Sequence, residues 1–141
     1  MAGSQCPEVL MRRVLYDLGC SEITIAYGMT ETSPISFQSD INDPVDVRVS
    51  TVGRIQPHCE VKIVEDDGST CAVGQTGELW TKGYLVMKGY WNDTKATQSS
   101  IENGWMKTGD LATIDSEGFC RIVGRKKDMV IRGGENIYPA E

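Results

Sequence analysis

Histidine occurs once in this chain, at His58. Zinc sites built from protein ligands need several His or Cys side chains at short spacings, and the five cysteines (Cys6, Cys20, Cys59, Cys71 and Cys120) contain no Cys-x-x-Cys pair. His58 with Cys59 beside it reads as an ordinary strand-entry position. An odd cysteine count supplies no disulfide framework either, which fits a reducing, cytosol-like compartment. Long apolar runs are missing too. A membrane span takes about 20 apolar residues, whereas the longest stretches here, such as Glu60-Val61-Lys62-Ile63-Val64, are broken by charge. Residues 1–10 hold a proline and a glutamate without a basic start, so they do not read as a secretory signal. Cations are in deficit, with 14 Lys and Arg against 20 Asp and Glu and a net charge of −6. That balance argues against nucleic acid as a partner, because neutralising phosphates takes a basic face.

What is present suits one ordinary core. With 141 residues, 40% of them hydrophobic and 24% charged, the chain can bury one interior but hardly two. Cys6 to Leu18 reads as a helix, with Pro7 and Glu8 in its first turn and Gly19 at its stop. Leu10, Met11, Val14, Leu15 and Leu18 recur at helical spacing as one apolar stripe. Ile23–Tyr27 is a short β-rich run ending at Gly28. Residues 40–50 are polar and read as a surface loop. Strands then alternate with turns: Glu60–Val64, a hairpin signal at Asp67-Gly68, and Gly77–Thr81. Asn92 or Asp93 can cap a brief helix through Ser100, Asn103-Gly104 turns the chain, and Leu111–Ile114 with Phe119–Val123 form a second hairpin. The fold class expected is α/β: a helix–strand piece of a larger α/β domain over residues 1–45, then a mostly antiparallel β module, a distorted barrel, over 46–124.

Three segments carry chemistry. Tyr27-Gly28-Met29-Thr30-Glu31-Thr32 puts a Gly turn straight after a strand, then a hydroxyl beside a carboxylate. Gly28 would let the backbone approach a ligand, Thr30 could bond a phosphate oxygen, and Glu31 could hold Mg²⁺. The same pattern also describes a helix start with Thr30 as its cap. Thr108-Gly109-Asp110 is either a turn with a solvated Asp or a carboxylate placed to accept two vicinal hydroxyls. Gly124–Glu141 packs four cations, a β-branched run and Gly133-Gly134 into its eighteen residues, which suits either contact with a nucleotide phosphate or a charged hairpin on a solvated face.

In that order and spacing, the three segments resemble the AMP-forming acyl-CoA synthetases, members of the adenylate-forming enzymes. The resemblance runs from Ala2-Gly3-Ser4 to Glu141. It implies that Tyr27 flanks the adenine, that Thr30 touches the α-phosphate and that Glu31 binds magnesium, with Gly28 and Met29 in the same nucleotide-binding turn. By the same resemblance Asp110 grips the ribose hydroxyls and Arg125 adds a second contact. Ile122 lies near the adenine, and Gly3 and Ser4 line its pocket. Lys127 takes the place of a hinge between two domain orientations, and Gly133 and Gly134 belong to a loop that lines the pantetheine tunnel. Gly83–Trp91 also matches, with its aromatics read as packing on the β module, and Lys82 stands where Arg is more usual, which puts one surface ion pair in doubt.

The resemblance, closest to the fatty and medium-chain acyl-CoA ligases, further implies ATP, Mg²⁺ and CoA as cofactor and co-substrates, with a fatty acid activated as acyl-AMP. The family's phosphate loop and its adenylation lysine have no counterpart in these residues. We therefore expect a piece of a longer enzyme, with 125–141 leading toward a further domain and the isolated chain inactive and prone to associate. The setting expected is cytoplasmic, or mitochondrial if a transit peptide precedes the chain. Two other readings stay open here: an adenylation domain of a peptide synthetase loading a carrier protein, and a non-catalytic module that binds a nucleotide or a partner.

Overall fold

The computed structural model describes residues 1–3, 6–128, 130–132 and 135–137, the last two stretches as strand backbone only. Helix α1 (Glu8–Tyr16) starts after Pro7, whose fixed φ suits a helix entry, and ends at Asp17 with Gly19 turning the chain at φ +66°. Arg12 reaches both Glu8 one turn back (2.7 Å) and Asp46 (2.6 Å). Asp46 belongs to α2 (Val45–Ser50), which replaces the surface loop expected over residues 40–50. Single-residue polarity concealed it: Val49 is buried, and the buried Arg48 donates to the carbonyls of Ser21 (3.0 Å) and Ile41 (3.1 Å). A cation that satisfies two loop carbonyls in the interior looks like a loop residue in the sequence.

The strand expected over Ile23–Tyr27 is shorter and shifted, β1 (Ala26–Gly28). It pairs antiparallel with β2 (Ile35–Gln38), which pairs in turn with β3 (Arg54–Ile55). That sheet leaves β1 at an edge, where the Ala26 amide donates to the carbonyl of Met1 (2.8 Å). A second antiparallel sheet runs β4 (Cys59–Val64), β5 (Gly77–Gly83), β7 (Trp105–Ile114) and β6 (Ile101–Glu102). Strand β8 (Cys120–Arg125) takes the other half of the long β7. The Asp67-Gly68 turn forms, but it closes only a one-pair bridge, Val64 to Thr70, before the chain runs on to β5. Asp93 caps α3 (Thr94–Ser100) through the Ala96 amide at 2.9 Å. Two short strands, β9 (Val130–Arg132) and β10 (Glu135–Ile137), pair with each other. This is the α/β architecture expected, a helix–strand part and a curled antiparallel sheet. No helix among the described residues is long and apolar enough to cross a membrane.

Two apolar clusters fill the interior. Phe37, Ile63, Leu79, Ala112 and Cys120 form the larger, and Met11, Ile25 and Val49 the smaller; Val52 packs on both. The Val52 amide also donates to Cys120 (2.9 Å), and the Cys120 amide to Gly53 (2.9 Å), so the backbone joins the sheets where the clusters meet. Burying Phe37 completely supplies roughly 2–3 kcal/mol. The stripe on α1 is only half used. Met11 and Leu15 are buried, whereas Leu10 and Leu18 stay exposed. The aromatics of Gly83–Trp91 do not pack on the β module as expected; Tyr84 and Trp91 are 76% and 91% exposed, and Leu85 is buried in their stead. Lys82 does form an ion pair, with Glu60 at 3.6 Å.

Two glycines have different reasons to be glycine. Gly53 has φ +78°, and a Cβ there would sit 2.0 Å from the carbonyl oxygen of Gln38. Gly19 has φ +66° with open space around it. Gly53→Ala should therefore cost roughly 3 kcal/mol or more, strain and overlap together, while Gly19→Ala should cost only about 1 kcal/mol. Urea unfolding midpoints of the two variants check this, and equal losses would show that the close approach at Gly53 does not matter.

Candidate functional site

The Tyr27 ring lies edge-on to Phe37, with centroids 6.0 Å apart. The two are register partners on β1 and β2, so the buried phenylalanine sets the plane of the tyrosine. Thus held, the Tyr27 hydroxyl donates to Asp110 Oδ2 at 2.6 Å. Burial and the neighbouring Asp110 charge push the Tyr27 phenol well above its ordinary range. The other carboxylate oxygen of Asp110 is 3.5 Å from Arg125 Nε, and the two residues pair across β7 and β8. Arg125 is mostly exposed and Asp110 mostly buried. Each carboxylate oxygen has two acceptor positions, so Asp110 keeps capacity for further donors after accepting from Tyr27.

Thr108-Gly109-Asp110 is neither a turn nor a solvated Asp. It is a bulge inside β7, in which three residues face the single Leu79 of β5. Gly109 sits at φ +73°, Thr108 Oγ1 donates to the Leu79 carbonyl (2.8 Å), and the Asp110 amide donates back to Thr108 Oγ1 (3.1 Å). The extra residues take Asp110 out of register with β5, while it stays paired with Arg125 of β8 and its side chain meets Tyr27. A carboxylate of β5, Glu78, accepts from the Gly109 amide at 3.3 Å.

After β1 the chain makes one 3-10 turn, Thr30–Thr32. Its cap is the buried Thr32, whose hydroxyl accepts from the Met29 amide (3.2 Å), and not Thr30. Thr30 is exposed and its hydroxyl has no hydrogen-bond partner among the described residues. Glu31 is half-buried. Its Oε1 accepts from the Tyr90 hydroxyl (2.8 Å) and its carbonyl from the Met87 amide (2.9 Å). That hydrogen bond raises the Tyr90 phenol above its usual range. Gly28 is required by the chain's own packing: a Cβ would lie 1.7 Å from the Pro34 carbonyl oxygen.

The remaining candidates are dispersed around this centre. Ile122, on β8, is half-buried and packs with Tyr27 on the larger core cluster. Gly3 is exposed at φ +89° on the segment beside β1. Lys127 is exposed in a 3-10 turn, Lys126–Asp128. Ser4, Gly133 and Gly134 lie outside the described residues. The structure thus brings Tyr27, Asp110 and Arg125 into contact, and Glu31 with Tyr90. Sequence reading missed Glu78, Thr32 and Tyr90. Glu78 alternates with Trp80 and Lys82 on the outer-facing side of β5, so its position in the strand gave no signal, and Tyr90 and Thr32 carried none apart from their neighbours.

A model of the AMP-binding enzyme family matches residues 1–91, and the chain belongs to that family. Its whole length aligns at 55% identity with 26% of YngI of Bacillus subtilis, which is provisionally named an acyl-CoA synthetase. It aligns at 46% identity with 23% of the mitochondrial medium-chain acyl-CoA ligase ACSF2 of Bos taurus. The chain therefore spans about a quarter of the length of these relatives. Among solved structures, the O-succinylbenzoate CoA synthetase MenE of Bacillus subtilis, in complex with ATP and magnesium, superposes with a TM-score of 0.86 at 38% identity, over 98% of this chain and 28% of that one.

The phenol of Tyr27 keeps its proton more firmly in the folded chain than in the unfolded one. Because its folded pKa is raised, its contribution is complete below the unfolded value of about 10 and declines as pH rises past it. The hydrogen bond to a carboxylate is worth about 1–2 kcal/mol after allowing for partial exposure. Tyr27→Phe should lower the urea midpoint at neutral pH and flatten its fall between about pH 9 and 11. An alkaline limb identical to that of the unaltered chain would show that Tyr27 is not the group held.

Proposed function

We propose that this chain carries the ribose and phosphate contacts of an AMP-forming acid–thiol ligase, which activates a fatty acid with ATP and passes the acyl group to CoA. The observation that supports this most is the Tyr27–Asp110–Arg125 arrangement: a carboxylate fixed by one hydrogen bond, with acceptor positions left over and an exposed guanidinium beside it. Two vicinal hydroxyls can donate to such a carboxylate, and Arg125 supplies a donor that carboxylates lack. Ile122 and Tyr27 would form the apolar and aromatic sides of an adenine site, with Gly3 and Ser4 along its margin and Gly28 and Met29 leading to the phosphate turn.

Thr30, exposed and unpaired among the described residues, is free to bond an α-phosphate oxygen. Glu31 fits a magnesium role, because only its Oε1 is engaged by Tyr90. No cluster of three His, Cys, Asp or Glu suited to a metal occurs among the described residues. A Mg²⁺ here would thus be held by Glu31 together with phosphates, the usual donor set for this hard ion. Bound there, it would neutralise the charge that grows on the phosphates as the acid's carboxylate attacks the α-phosphorus and pyrophosphate leaves. Thr30 would orient the phosphate, and Asp110 with Arg125 would hold the ribose still. Lys127 would then be the point of rotation, and Gly133 and Gly134 part of the pantetheine path, in the thiol step where CoA displaces AMP. We place the working units at residues 1–45, 46–124 and 125–141. A reducing setting, cytoplasmic or mitochondrial, suits an odd number of cysteines that supply no disulfide framework.

Two expectations follow for the enzyme that carries these residues. Glu31→Gln should slow ATP–pyrophosphate exchange by at least about tenfold, some 1.4 kcal/mol of lost stabilisation, with a steeper magnesium requirement. Unchanged exchange at limiting magnesium would remove Glu31 from that role. Asp110→Ala should weaken ATP and AMP alike by about 2–3 kcal/mol and leave fatty-acid affinity untouched. Equal binding of ATP and 2′,3′-dideoxy-ATP by the unaltered enzyme would refute the ribose contact. Replacing CoA by an acyl carrier protein in the thiol step separates the peptide-synthetase reading, and absence of any exchange activity would leave a binding module.

A further inference from the structure

Glu78 is mostly buried on β5, and a carboxylate in that position needs partners for both oxygens. Its Oε1 accepts from the Gly109 amide at 3.3 Å, and its Oε2 from Lys126 Nζ at 3.2 Å. Lys126 is held from its other side by Asp66 at 2.9 Å. Gly109 is the residue immediately before Asp110, and Lys126 the residue immediately after Arg125. One carboxylate therefore grips the chain on the outer flank of both members of the Asp110–Arg125 pair. Neither grip duplicates the sheet hydrogen bonds. Gly109 sits in the bulge, outside the regular β5–β7 register, and Lys126 has already left β8 for the 3-10 turn that holds Lys127.

We propose that Glu78 is a positioning residue. It sets the distance between Asp110 and Arg125, and it anchors the chain at Lys126 so that any rotation begins at Lys127. The inference rests on the nucleotide reading for what the pair does, but the clamp itself is a property of the chain without nucleotide. Its two functions are separable by chemistry. Glu78→Gln keeps an acceptor for the Gly109 amide and loses the ion pair. Glu78→Ala loses both. Lys126→Met leaves Glu78 on Gly109 and frees the turn.

Amide hydrogen exchange of the chain reads the two grips separately. Glu78→Ala should speed exchange at Gly109 at least about tenfold, whereas Glu78→Gln should leave it within about threefold. All three variants should speed exchange across Lys126–Asp128 by about fivefold or more. A uniform rise over all of β5 and β7, or no change at Lys126–Asp128 in Glu78→Gln and Lys126→Met, would overturn the proposal. Should Glu78→Ala fail to fold, the other two variants still decide. AMP affinity in the enzyme carrying the chain separates this inference from the reading it rests on. Weaker AMP binding in Glu78→Gln, about fivefold, supports the positioning role. Affinity that falls in Asp110→Ala but not in Glu78→Gln overturns the positioning role and spares the nucleotide reading. Affinity unmoved in Asp110→Ala refutes the nucleotide reading, and the exchange data then stand alone for the clamp.

Discussion

The hydrogen bond from Tyr27 to Asp110 joins residues 83 positions apart, one from each sheet. Everything on either side of it is arranged to keep the two groups in reach. On one side Phe37 fixes the ring from below, and Phe37 is itself fully buried in the larger core cluster. On the other, the bulge at Thr108–Asp110 frees Asp110 from register with β5 but not from β8, with Thr108 closing the loop of hydrogen bonds on both flanks. A side-chain bond this short between half-buried partners tolerates little movement of either sheet. It therefore constrains how the three-stranded sheet and the larger sheet sit against each other, and it does so at the point where the chain offers its polar groups.

The same economy governs the backbone between the sheets. Gly53 passes so close to Gln38 that no side chain fits, and its carbonyl is the one that accepts from Cys120. Val52, next to it, touches both apolar clusters. Core packing and backbone pairing thus act through the same two residues, which makes the interior one unit in spite of its two centres. The outer face of the larger sheet is managed differently. Lys62 lies 4.5 Å from the Trp80 ring and 4.6 Å from Trp105, while Lys107 covers Trp80 at 4.9 Å. Lysine stems shield the indoles and keep their charges in water. Glu60 and Glu102 pair with Lys82 and Lys107 on the rim of the same face. A five-stranded antiparallel sheet can then leave that side without another layer.

Much of this was determined by local sequence. The Asp93 cap, the Asn103-Gly104 turn and the strands Cys59–Val64 and Gly77–Gly83 follow from short-range patterns, since caps, positive-φ turns and β-branched alternation are decided within a few residues. Tyr27, Glu31, Asp110 and Arg125 stand out only because their three segments together resemble a family, since each short pattern by itself also fits a cap, a turn or a charged hairpin. Tertiary structure decided the rest. Helix α2 exists because Arg48 finds two carbonyls and Val49 finds a core, neither visible from residues 40–50. Thr108-Gly109-Asp110 becomes a bulge only when β5 lies opposite, and its Asp gains a half-buried partner only when Tyr27 arrives from the other sheet. Glu78 and Tyr90 gain their places the same way, through partners 48 and 59 residues distant. Sequence reports what a residue can do; which groups it meets is set by long-range packing, and a pattern of a few residues carries no record of that.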